Sequence, residues 1–74
     1  MKFIYTDHVK LRIEQRGLSF GMIEATVSHP DGECTSFKDR QIARKKFRGK
    51  ILEVIYRKQG ISTVIITAYW QKKE

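Results

Sequence analysis

Residues 41–56 read QIARKKFRGKILEVIY, two runs with period-two alternation of apolar and polar side chains around a Gly-Lys pair, and this stretch decides the fold. A two-residue loop at Gly49-Lys50 with glycine first suits a type II′ hairpin. That loop would pair Arg48 with Ile51, Phe47 with Leu52 and Lys46 with Glu53. Phe47, Leu52, Val54 and Tyr56 then share one face, while Arg44, Lys46 and Arg48 share the other with Ile51, Glu53 and Ile55.

Outward from the hairpin, everything after Glu33 reads as sheet, with strands expected at 33–37, 41–48, 51–58 and 61–70. A second tight turn at Gln59-Gly60 would add Thr63, Ile65, Thr67 and Tyr69 to the first face, and Val64, Ile66, Ala68 and Trp70 to the second. The N-terminal third has helical punctuation. Thr6 or Asp7 caps a helix that Gly17 ends, and Ser19 caps a second, with Phe20, Ile23 and Val27 on one side, that stops by Pro30. Lys2 to Tyr5 is a short strand or an extended arm. The expected architecture is α+β: two N-terminal helices packed on a three- to four-stranded antiparallel sheet, in one domain over residues 1–74. Two helices cover only one face of such a sheet. The other face should be a partly apolar surface rimmed by arginine and lysine.

Size and charge bound the function. A 74-residue chain has too little interior for an enclosed cofactor cavity, so no cofactor is expected and any site should be an open groove. Fifteen Lys and Arg against eight Asp and Glu give a net charge of +7, which favours an anionic partner, nucleic acid ahead of an acidic protein. No apolar run approaches about 18 residues and MKFIYTDH lacks a signal-peptide core, which points to a cytoplasmic protein without a membrane partner. Cys34 is the one cysteine, expected to be half-buried in a strand rather than a nucleophile. His8, His29 and Cys34 show no metal-ligand spacing, so no metal is expected.

The candidate site begins with His8, Arg12 and Arg16, which recur every four residues and would form one helical stripe bordering the apolar Val9 and Ile13. Such a stripe can face a cleft and meet a phosphate; it can also be a solvated helix face with snorkelling arginines. The densest cationic stretch runs from Arg40 to Lys50, and in a strand it would present Arg44, Lys46 and Arg48 as a ladder for a polyanion backbone, or as charges that block edge-to-edge aggregation. Tyr56, Tyr69 and Trp70 are available to stack on unpaired bases or to pack in the core.

The order His8, Arg12, Arg16-Gly17-Leu18-Ser19, Ile23 and Pro30, then a basic strand ending in Gly49, then VIITAY at 64–69, resembles small domains grouped with RelE/ParE-like and BrnT-like toxins of toxin–antitoxin pairs. The resemblance runs from Asp7 to Tyr69 and implies a compact α+β fold with metal-independent endoribonuclease activity or a relic of it. By motif position it assigns His8, Arg12 and Arg16 to the polar residues of helix one, Arg48 or Arg44 to the basic strand, and Thr67 to the final-strand hydroxyl. The chain departs from an intact site in having no evident carboxylate base there. Metal-free RNA cleavage needs a base for the 2′-hydroxyl, cations for the phosphorane and an acid for the leaving oxygen. His8 would serve as acid/base, Arg12, Arg16 and Arg48 as the clamp, and Tyr69 or a lysine as proton donor. The expectation is a type II toxin that cleaves mRNA and is neutralised by a cognate acidic antitoxin. The alternatives are a catalytically inactive nucleic-acid-binding module and a homodimeric interaction domain joined through the uncovered sheet face.

Overall fold

The computed structural model describes residues 2–35 and 39–71. In chain order the elements are β1 (Lys2–Tyr5), α1 (Asp7–Gln15), α2 (Phe20–Ser28), β2 (Gly32–Thr35), β3 (Arg40–Phe47), β4 (Lys50–Gln59) and β5 (Ser62–Gln71). They form an α+β structure whose sheet has the order β1-β5-β4-β3-β2. This corrects the expected sheet in two ways: it has five strands, and β1 joins it parallel to β5, with Lys2 opposite Ser62 and Tyr5 opposite Ile65. The remaining pairs are antiparallel. Of the strand expected at 33–37, residues 36 and 37 lie outside the described residues.

Local chemistry sets the helix ends. Thr6 caps α1 by accepting the Val9 N–H at 3.2 Å, and Ser19 does the same for α2 from Met22. Arg16 is the C-cap of α1, and Gly17 follows at φ 64°. The Leu18 N–H then returns to the Ile13 carbonyl at 3.0 Å, closing a Schellman turn that a side chain at position 17 would strain. Lys45 donates to the carbonyl of His29, the α2 C-cap, at 2.8 Å, a cation at the negative end of the helix dipole.

Both hairpins shift by two residues from their expected registers. Phe47 pairs with Lys50, so the loop is Arg48-Gly49, with both residues at positive φ (50° and 83°) as a type I′ turn requires. Likewise Gln59 pairs with Ser62 around Gly60-Ile61. A shift of two leaves side-chain parity intact, so the expected sorting of β3 and β4 holds, Arg48 excepted. In β5 the sorting fails beyond Ile65. Ile55 pairs with Thr67 but Tyr56 with Ile65, so Ile66 is an extra bulged residue. The bulge sends Ala68 and Trp70 to the helix-covered face, and carries Thr67 and Tyr69 to the opposite one.

The core lies between that covered face and the helices: Val9, Ile23, Ala43, Leu52, Val54, Ile65 and Ala68 are fully buried, with Leu18, Val27 and Tyr56 beside them. Each large aliphatic in this set contributes about 1.5–3 kcal/mol relative to exposure. Phe20, expected with Ile23 and Val27, is instead 48% exposed and packs against the Tyr5 ring at 4.5 Å. The other face carries Ile4, Ile42, Ile55, Val64 and Ile66 without a covering element among the described residues, as the sequence leads one to expect. Among the described residues no helix is long and apolar enough to cross a membrane.

Candidate nucleic-acid interface

One end of the molecule gathers the C-terminus of α1, the start of α2, the β3–β4 loop and the last turn of β5. Trp70 stands at its centre. Its indole Nε1 donates to the Arg16 carbonyl at 3.0 Å, and its ring meets Phe47 edge-on at 6.4 Å between centroids and 85° between planes. The Lys50 ammonium lies 5.6 Å from the ring centroid, within cation–π range.

Trp70 divides a concave surface into two openings. One, of about 420 Å³, is lined by Met22, Phe47, Arg48, Lys50 and Trp70. Arg16, Tyr69, Trp70 and Gln71 line the second, of about 460 Å³. Arg16 is held there because β1 covers β5 only at 62–65, which leaves the edge beyond it open. Its Nη1 donates to the Ala68 carbonyl on that edge at 3.0 Å, with further N–H groups of the guanidinium remaining to meet a ligand. An apolar floor, one partly exposed indole and three cations from three elements can stack an unpaired base and hold the phosphates on either side.

The expected site residues are thus only partly brought together. Arg16, Arg48 and Tyr69 reach this surface. His8 is exposed in the first turn of α1, eight residues and therefore about 12 Å along the helix from Arg16. Arg12 donates to Gln15 at 2.7 Å on the helix surface. Thr67 lies half-buried on the uncovered sheet face beside Ile55.

The basic ladder does not form as expected, since Arg48 leaves the strand for the turn and rims the groove while Arg44 and Lys46 stay on the uncovered face. Arg44 is already engaged: its Nε and Nη2 both contact Glu53 Oε2, at 3.0 and 2.9 Å. Glu53 is only 6% exposed on a face that has no covering element among the described residues, because Arg44 and Tyr69 flank it on the neighbouring strands. Burial first, then the Glu53 carboxylate, raises the Tyr69 pKa against an opposing effect of Arg44, so the phenol stays protonated.

Tyr56 is removed from the list of stacking residues. It is 1% exposed, and its hydroxyl donates to Glu33 Oε2 at 3.0 Å with the Gln41 amide oxygen at the same distance. Cys34 is exposed on the edge strand rather than half-buried. Among the described residues no three or more His, Cys, Asp or Glu are grouped so as to hold a metal ion. Sequence reasoning noted Trp70 and Lys50 but placed Trp70 on the wrong face. Met22 and Phe47 entered the site unannounced; the available signal was that Phe47 sits two residues from the loop glycine on the core face.

No curated protein and no solved structure matches the chain. Residues 5–70 match a family described as a domain of unknown function, DUF4258. The match takes in both helices, the four antiparallel strands and the groove up to Trp70, and the chain belongs to this DUF4258 family.

Proposed function

We propose that the chain binds single-stranded RNA across the groove divided by Trp70. The observation that carries this reading is the convergence of Arg16, Arg48 and Lys50 on one partly exposed indole with an apolar floor. Stacking on an aromatic ring needs an unpaired base, which favours a single strand over a duplex. The preference for RNA over DNA rests on the resemblance to RelE-like and BrnT-like toxins. Trp70 is the only tryptophan, so its fluorescence reports the site directly. Oligouridylate should quench it saturably and less tightly as salt rises, and a duplex of equal length should quench it little. Absence of quenching by the single strand would remove the reading.

A second reading, a metal-independent endoribonuclease acting as the toxin of a toxin–antitoxin pair, is favoured by Arg16 and Tyr69 sharing one opening. The Arg16 guanidinium supplies a phosphate clamp, while the Tyr69 phenol, kept neutral against Glu53 on the opposite face, would have to leave that carboxylate to donate to a leaving oxygen. His8 would have to reach the scissile phosphate from the first turn of α1. Incubation with RNA in EDTA should then leave 2′,3′-cyclic phosphate ends, and His8→Gln should stop cleavage while binding and fold persist. Full cleavage by that variant sinks the His8 role, and no cleavage by the wild type sinks the enzyme.

The antitoxin of such a pair would occupy the uncovered sheet face. Its Ile42, Ile55, Val64 and Ile66 belt lies among Lys2, Arg40, Lys46 and Arg57, which suits an amphipathic acidic segment. In the absence of that partner the same belt is the surface for a homodimer.

A further inference from the structure

Lys50 sits where a stacked base would have to go. Its ammonium is 5.6 Å from the Trp70 centroid, and the ring already meets Phe47 at near right angles and Arg16 at its N–H. The residue is exposed, and its backbone is fixed by pairing with Phe47 at the foot of the Arg48-Gly49 turn. Four methylene groups therefore let the ammonium leave the indole while the hairpin stays in place.

A base that stacks on Trp70 must displace the ammonium and lose its cation–π contact. A phosphate on the same ligand offers the ammonium a stronger, charge-assisted destination within the same opening, beside Arg48. A nucleoside offers none. We infer that Lys50 is a specificity-determining residue that makes the groove admit phosphate-bearing nucleotides and disfavour bare nucleosides and other neutral aromatics. The inference rests on the single-stranded RNA reading and adds to it the class of ligand that the groove rejects.

The test compares uridine with oligouridylate on the wild type and on Lys50→Met, which keeps the apolar stem and deletes the charge. Uridine should bind the variant about two- to fivefold more tightly, because the competing cation–π contact is gone. Oligouridylate should bind it more weakly, with the slope of log K against log salt reduced by about 0.7. Without ligand, acrylamide should quench Trp70 more readily in the variant. Lys50→Gln, which removes the same charge with a polar head, is the second variant should Lys50→Met misfold. Opposite signs for the two ligands are the expected result, since loss of packing alone would weaken both. Wild-type quenching by oligouridylate, with both ligands shifted the same way or unshifted in the variants, overturns the role of Lys50 and leaves RNA binding standing. No wild-type response to oligouridylate overturns both.

Discussion

Replacing Arg48 by Asn should make the protein more stable and its RNA binding weaker. Arg48 is the only non-glycine residue at positive φ among the described residues, at 50° beside Gly49 at 83°. A left-handed conformation costs an ordinary L-residue roughly 1–2 kcal/mol, and Asn-Gly is the favoured pair for a type I′ turn. Arg48→Asn should therefore recover about 0.5–1 kcal/mol, against a total stability of roughly 4–11 kcal/mol for a chain of this size. For a domain of 60–100 residues that is an increase in Tm of about 3–6 °C. Arg48 also lines the groove, so its loss should remove one phosphate contact and lower the single-strand salt slope by about 0.7. If both proteins bind equally at 1 M salt, that slope difference corresponds to about fivefold weaker binding at 0.1 M. Thermal melting by circular dichroism and Trp70 titrations at several salt concentrations measure the two effects separately. An unchanged or lower Tm would refute the strain argument, and an unchanged slope would remove Arg48 from the phosphate path.

Tyr56 makes stability depend on alkaline pH. Burial and the Glu33 carboxylate push its pKa from the usual 10.0 up to about 12. The folded state therefore favours the neutral phenol: the contribution is complete below pH 10 and falls as pH rises toward 12, by up to about 1.4 kcal/mol per pH unit. Urea unfolding across that interval should show a shallower loss for Tyr56→Phe, and an identical slope would mean that the phenol ionises without unfolding cost. On the uncovered face, Ile55→Lys should abolish self-association or capture of an acidic partner without altering the melt by more than a few degrees. Sedimentation showing a strict wild-type monomer, with unfolding of the variant, would mean that Ile55 belongs to the core.

The helices were legible because their signals are local. Thr6, Ser19 and Gly17 specify ends within a few residues, and Val9, Ile23 and Val27 mark the buried sides. Face sorting in β3 and β4 survived an incorrect loop because a hairpin slip of two residues preserves alternation. The bulge at Ile66 was not legible, since VIITAYW, Thr67 apart, is apolar or aromatic on both faces and shows no clear alternation to break; with it went the positions of Trp70, Thr67 and Tyr69. The parallel place of β1 has no local cue at all, because four residues pair with a strand some sixty positions away. The divided site has the same origin. Spacing correctly aligned His8, Arg12 and Arg16 along one helix, but only the end of α1 beside Trp70 meets the groove.

The pairing of β1 with β5 also bears on how the chain reaches its native state. Lys2–Tyr5, the Thr6 hydroxyl on the Ile65 carbonyl at 3.3 Å, the Arg16 guanidinium on Ala68 and the Trp70 indole on Arg16 all join the beginning of the sequence to residues beyond 61. During synthesis β1 can meet α2 through Tyr5, Phe20 and Glu24, but β1 and α1 lack their sheet partner until β5 is made, whereas the β3–β4 hairpin closes over a two-residue loop. Hairpin formation takes microseconds, and closure of a long loop is entropically slower, so the central hairpin is placed to nucleate and the α1–β5 contacts to form last. The groove around Trp70 is assembled from those late contacts. On the single-stranded RNA reading, binding competence would arise only at the completion of folding, and a partly made chain with a formed hairpin would carry most of the positive charge without the groove.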